Sequence, residues 1–337
     1  MGHFFGPTPN PIPGEGFFQG SKLVYANKWN QLITGFENDA NTFSFVAYLN
    51  EHWVISGYGP TELAHVVFVS ANGGATWLKN AVATTAAASP STGTAFGNSN
   101  YVYVVRGATG VQPFSFTSPD LSTWSQNNTG FANAALTSTP VFGPGVFLLV
   151  RIGAADYATS PDGITWTHHN AYVPQSWLAS PIWDGTRFVA LVISSGSSSN
   201  KIAVSTDGIN WTESSATLSN LSIPNAIANQ GATQYVAGDA GGGAGDSVNG
   251  ALTVATAISF SDSTHPTQAL CFGDTHWTRC NELTNALQSS TDGMTWSQDT
   301  VPSAGGGYSS IGFDGASKFI AVGFGNITNN FAATRNG

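Results

Sequence analysis

The sequence predicts an all-β chain of seven similar four-stranded units arranged in a ring. Three observations carry this. A short polar phrase ending in Trp recurs along the chain, most clearly as Ser160-Pro161-Asp162-Gly163-Ile164-Thr165-Trp166, Ser205-Thr206-Asp207-Gly208-Ile209-Asn210-Trp211 and Ser290-Thr291-Asp292-Gly293-Met294-Thr295-Trp296. Seven β-prone apolar runs recur with the same period. The two chain ends read as complementary parts of a single unit, the seventh.

Residues 1–20 carry Pro7, Pro9, Pro11 and Pro13, followed by Gly14, Gly16 and Gly20. Alternating prolines favour an extended arm, expected either to hug the surface or to grip a neighbouring subunit. The propeller body is expected over 21–337. Leu23–Trp29 reads as a strand ending in Trp with no corner before it.

The repeated runs follow. They are Trp53–Gly57, Tyr101–Val105, Phe147–Val150, Phe188–Val192, Tyr235–Gly238, Trp277–Cys280 and Phe319–Gly323, about 40–50 residues apart. Several are preceded by a tight turn such as Asp184-Gly185 or Asp314-Gly315, and that turn by another short strand. One unit therefore reads as strand a, turn, strand b, variable loop, strand c, Asp-Gly corner, strand d. At the corner an Asp or Asn side chain can accept backbone N–H groups, and Gly tolerates positive φ. The Trp then buries its ring on the unit. Looser corners end at Trp77 (with Asn72) and Trp124 (with Asp120). The interval from Trp211 to Trp296 is close to two periods, so one copy is hidden; Phe260–Pro266, with Asp262, is the expected place.

Four strands per 40–50 residues is the pattern of a β-propeller blade. The chain stops at Ala333-Thr334-Arg335-Asn336-Gly337, where the seventh unit still lacks its Trp strand, and Trp29 stands 48 residues ahead of Trp77. The expectation is a seven-bladed β-propeller of four-stranded antiparallel blades, closed by the N-terminal strand completing the last blade.

Composition narrows the function. The chain has 337 residues, a net charge of −9 and only 9% charged residues. The ten Lys and Arg residues are scattered, which argues against nucleic acid, whose phosphates need clustered cations. No apolar run approaches the roughly 18–20 residues that span a bilayer, so membrane insertion is not expected. The start, Met1-Gly2-His3-Phe4, lacks the pattern of an export signal, and the retained Met1 favours a protein not exported by that route. Cys271 and Cys280 would face each other across a hairpin turning at Thr275-His276, which permits a disulfide; a one-residue register shift removes the pairing and leaves two buried thiols.

The corner phrase resembles the Asp box of sialidase-type β-propellers, with Ser70-Ala71-Asn72-Gly73-Gly74-Ala75-Thr76-Trp77 matching its full spacing and the copies at Asp162, Asp207 and Asp292 one residue shorter. The resemblance covers nearly the whole chain past residue 20. It implies the fold rather than an activity, because the box occurs in glycosidases, lectins, assembly factors and viral appendages. It also implies that the box lies away from the ligand-binding face. Trp29, Trp77, Trp124, Trp166, Trp211, Trp296 and the Asp residues 120, 162, 207 and 292 are thus expected to be architectural.

Function is then expected on the opposite face, in the b–c and d–a connections. Candidates there are Tyr58 and Glu62, Tyr172 and Trp177, Tyr308, and Asp239 and Asp246 in an expected long loop, 238–256, that could cradle calcium. Arg106 and Arg151 end strand b in adjacent blades and could together hold a carboxylate, or could each pair locally. The remaining residues that a sialidase needs are not recognisable. The leading reading is a non-catalytic binding or scaffolding propeller of an extracellular or virion surface, such as a phage tail or capsid appendage. It would dock a glycan or protein through its loop face, with a further subunit gripped by the N-terminal arm and no cofactor. The alternative is a sialidase-like glycosidase or lyase centred on Arg106 and Arg151.

Overall fold

A computed structural model describes the chain apart from residues 1–16, 20–21, 25–27, 33, 36–41, 60–63, 83–90, 108–109, 134, 171–175, 195–199, 263, 282–286, 302–306, 325–329 and 337. Seven four-stranded antiparallel sheets form in chain order. Blade 1 is representative, with strand a Thr42–Leu49, b His52–Gly59, c Ala64–Ser70 and d Leu78–Val82. All seven apolar runs are b strands, the best-buried part of each blade. Sandwiched between neighbouring blades, they bury both faces, so they read as continuous apolar runs rather than alternating ones.

Blade 7 closes the ring. Its strands a (Gly307–Phe313), b (Lys318–Phe324) and c (Asn330–Asn336) come from the C-terminus, and Asn30–Leu32 supplies strand d, with Gln31 opposite Ala333. The closing strand starts after Trp29 rather than spanning 23–29. Upstream, Phe17–Gln19 and Lys22–Val24 form a separate two-stranded ribbon. The rest of the expected arm lies outside the described residues.

The corners show why the phrase repeats. In blades 3, 4 and 6 the Ser hydroxyl donates to the Asp carboxylate and accepts the Gly N–H, while Asp Oδ1 accepts the N–H groups two and three residues on. Asp120, bonded by the N–H groups of Thr123 and Ser122, is lowered to about 2. Asp292 is lowered to about 2 by the Thr295 N–H, against the opposing pull of burial.

The hidden copy is not Phe260–Pro266, which connects blades 5 and 6. It is Ser247-Val248-Asn249-Gly250-Ala251-Leu252-Thr253-Val254. Here Asn249 Oδ1 accepts from Thr253 and Val254 N–H, and Asn249 Nδ2 donates to Thr253 Oγ1, as Asn72 Nδ2 does to Thr76 Oγ1 in blade 1. Val254 stands where the Trp would be. Searching for the Trp and for Asp hid this copy.

Each corner is also fastened by the blade before it. Corner carbonyls of blades 1 to 6 accept, in turn, from Lys318 Nζ, Asn80 Nδ2, Ser115 Oγ, Tyr157 OH, Arg187 Nη2 and Gln234 Nε2. At blade 7 the chain ends replace a corner. There Asp299 of blade 6 receives Trp29 Nε1 at 2.9 Å, Arg335 Nη1 at 3.1 Å and Ser289 Oγ at 2.6 Å. One buried carboxylate therefore holds both ends of the chain.

The cysteines do not pair. The turn falls at Asp274-Thr275, one residue earlier than expected, so Cys271 faces Thr278 and Cys280 faces Ala269. Both are free thiols, pushed up to about 12 by burial.

Candidate functional site

The first strands of six sheets, and in blade 3 the residues just ahead of the first strand, line one central cavity of about 580 Å³, which identifies strand a as the innermost strand. In six blades strand a carries a register shift, between Phe43 and Phe45, Ser91 and Gly93, Ala179 and Ile182, Pro224 and Ala226, Thr267 and Ala269, and Tyr308 and Ser310. A β-bulge turns an extra residue out of the ladder and re-aims its side chain. Those residues are polar (Ser44, Thr92, Ser180, Asn225, Gln268 and Ser309), and each lines the cavity. In blade 3, Ser138 and Thr139 take the same place.

Most of these groups knit the ring. Ser309 Oγ donates to Phe43 O, Thr139 Oγ1 to Thr92 O, Ser180 Oγ to Asn225 O, and Asn225 Nδ2 to Thr267 O, each bond crossing to a neighbouring blade. In five of these blades the bulge sits where strand a begins and strand b ends, and in blade 4 it lies deeper in the strand. The cavity mouth therefore opens toward the b–c and d–a connections, opposite the corners.

Arg106, just past strand b of blade 2, is the only charged residue among the described lining. Its Nε donates to Thr137 O at 3.3 Å, and its Nη groups have no protein acceptor among the described residues. Burial lowers its pKa from the ordinary arginine value, the signature of a guanidinium that has lost water without gaining a counter-ion. Arg151 stays close in the backbone, bridged to Thr137, but its side chain pairs with Asp156 at 3.3 Å. The two guanidinium groups do not form a shared fork.

The other expected site residues scatter. Tyr308 is fully buried in the interface of blades 6 and 7, and Trp177 packs against the core of blades 4 and 5; neither belongs to a connection. Tyr58 lies at the end of strand b, its ring 5.5 Å from that of His65. Glu62 and Tyr172 lie outside the described residues. The segment 238–256 is not a loop, since it contains strand c of blade 5, Ala244–Asn249, and the hidden corner. Asp239 there accepts the N–H groups of Ser222, Ile223 and Gly241. Asp246 is buried on strand c, takes the Asn220 N–H, and keeps its Oδ1 unpaired. Among the described residues no group of three or more His, Cys, Asp or Glu is placed to hold a metal ion.

The bulge ring was missed from sequence. Its signal was available, because one small polar residue stands eight to ten positions ahead of every b-strand run.

No family model matches the chain, and no curated protein does. Solved structures do. Virginiamycin B lyase from Staphylococcus aureus is similar with a TM-score of 0.70 at 9% identity, covering 91% of this chain and 98% of that one. YCF48 bound to D1 peptide gives 0.66 at 15% identity over 94% and 97%, and the WD40 propeller domain of Doa1 gives 0.61 at 10% over 91% and 95%. At such identities the likeness shows the fold alone: this chain is a seven-bladed β-propeller.

Proposed function

We propose that this chain is a non-catalytic binding propeller that takes a protein partner on the b–c and d–a face, an extended segment of the partner entering the central cavity and meeting Arg106 through a carboxylate. The single observation behind this is the Arg106 guanidinium, desolvated and, among the described residues, without an acceptor for its Nη groups, in a cavity framed by already bonded Ser, Thr and Asn side chains. An anion arriving there gains charge-assisted hydrogen bonds that no described group supplies. Leu136 and Ile223, both exposed, lie in d–a connections of the same face and offer apolar contact beside it. A YCF48 propeller, similar in fold, is bound to D1 peptide, which supports a peptide partner.

The corners, read as Asp boxes of the sialidase type, serve the scaffold. Sparse charge and a neutral polar surface support an extracellular or virion-surface setting, with the N-terminal arm as a second attachment. The enzymatic alternative has relatives in fold among the lyases. Its pairing of Arg106 with Arg151 is weakened by the Arg151–Asp156 contact.

The test is selection of a displayed random peptide library on the folded chain. Enrichment of peptides with Asp, Glu or a free C-terminus is expected, with retention falling at least about tenfold on Arg106→Gln. Peptides retained equally by the variant, or no enrichment, overturn the reading. Turnover of a fluorogenic sialoside that Arg106→Ala abolishes would replace it with the enzymatic one.

A further inference from the structure

Beneath its polar collar the central cavity changes character. In blades 4 to 7 strand a carries one triplet at the bulge: Ser180-Pro181-Ile182, Asn225-Ala226-Ile227, Gln268-Ala269-Leu270 and Ser309-Ser310-Ile311. All of these residues line the cavity. Each strand a runs inward from the mouth, so the aliphatic third residues form a tier deeper than the polar first ones. Phe45, next to Ser44, adds to the same apolar surface in blade 1.

The depth of the tier can be counted along the b strands. Leu270 faces Arg279 and Ile311 faces Ala321, each the third residue of its b-strand run. Arg106 follows Val105, the fifth residue of the run in blade 2, which faces Ser91 at the start of strand a. The tier therefore lies three residues, about 10 Å, below the Arg106 backbone.

The two levels ask for different chemistry. The collar hydroxyls already donate to backbone carbonyls within the blades as well as between them: Ser44 Oγ to Ser56 O, Thr92 Oγ1 to Val104 O and Ser138 Oγ to Thr139 O. The strong polar anchor is thus Arg106, at the mouth. The tier side chains offer no hydrogen bond. Phe45 and Ile182 are half-buried there, and Ile227, Leu270 and Ile311 are buried between blades with an edge on the cavity. An anion alone would leave this surface wet, whereas an apolar group below the anion removes it from water. The volume of about 580 Å³ is that of a site for a small ligand or a short segment, roughly 300–1,000 Å³.

We infer that the segment entering the cavity carries an aliphatic residue (Leu, Ile or Met) within about three residues of its carboxylate, the carboxylate held at Arg106 and the aliphatic side chain inserted among Phe45, Ile182, Ile227, Leu270 and Ile311. This rests on the reading of Arg106 given above and adds the residue that the partner must place beside its acid.

The test is fluorescence anisotropy with two labelled hexapeptide amides, alike except for leucine or serine two positions from a single glutamate. The leucine peptide is expected to bind at least about tenfold tighter. Phe45→Ser and Ile182→Ser, each checked for native near-ultraviolet circular dichroism, should cut that preference below about threefold and leave the serine peptide unchanged. Arg106→Gln should weaken both peptides at least about tenfold. Equal binding of the two peptides, lost on Arg106→Gln, overturns this inference and leaves the carboxylate reading standing. A leucine preference that survives in both serine variants also overturns it. Hexanoate that competes as strongly as the leucine peptide binds would replace the protein segment with a free carboxylic acid. Absence of binding by either peptide at about 1 mM overturns this inference and the carboxylate reading together.

Discussion

Asp299→Ala tests how the ring is held shut. Asp299 is fully buried, and its carboxylate binds Trp29 from the N-terminal side and Arg335 from the C-terminal side. Arg335 also lies over the rings of Trp29 and Phe319 at 5.3 and 4.9 Å. Burial pushes Asp299 above the ordinary carboxylate range, while Ser289, Trp29 and Arg335 pull it back. Removing one member of a buried ion pair strands the other, at a cost of about 3–5 kcal/mol. With an unfolding entropy of about 2.1 cal/mol/K per residue, a chain of 337 residues should lose about 4–7 °C in Tm. Scanning calorimetry and urea unfolding read both quantities. The double variant Asp299→Leu with Arg335→Met leaves no stranded charge and should recover at least about 2 kcal/mol of the loss. A single variant costing under about 1 kcal/mol, or a double variant no better than the single, would refute the claim that this ion pair clasps the ends.

Two further variants probe the corners and a buried acid. Gly163→Ala should cost about 2–4 kcal/mol, because the new methyl meets Val102 of the preceding blade at 2.3 Å in addition to the φ of +77°; Gly185→Ala, at φ +98° with no atom within 4 Å, should cost only about 1 kcal/mol, and equal losses in urea unfolding would contradict the docking of corners on blades. Asp246 is raised to about 6 by burial, with the Asn220 N–H opposing. A carboxyl raised in the folded state contributes stability that is fully present below the unfolded value near 3.9 and is lost as pH rises through about 6. The full shift corresponds to about 3 kcal/mol, which solvent screening reduces to ~1–2 kcal/mol. Asp246→Asn should therefore flatten the stability profile between about pH 4 and 7 and stabilise the protein at neutral pH, as read by thermal melts across that range.

What could be read from sequence depended on whether a feature repeats in residue type or only in geometry. The Ser-x-Asp-Gly corners repeat in type because one set of backbone N–H groups must be bonded the same way each time, so period, blade number and ring closure were all visible. Asn249 performs the same bonding without Asp or Trp, and it was passed over in favour of Asp262, which has the right residue type in the wrong place. The register around Cys271 and Cys280 depended on the placing of one turn by one residue, which apolar patterning does not fix. Tyr308 and Trp177 were taken for loop aromatics because glycine-rich or polar stretches precede them, whereas each already belongs to an innermost strand. The cavity is the strongest case. Its wall is built from Ser, Thr, Asn and Gln at equivalent bulges, a set bound together by position and not by identity. Only after the ring closes does that set become one surface, and only then does Arg106 stand out as the one charged residue of the described lining, its Nη groups without an acceptor among the described residues.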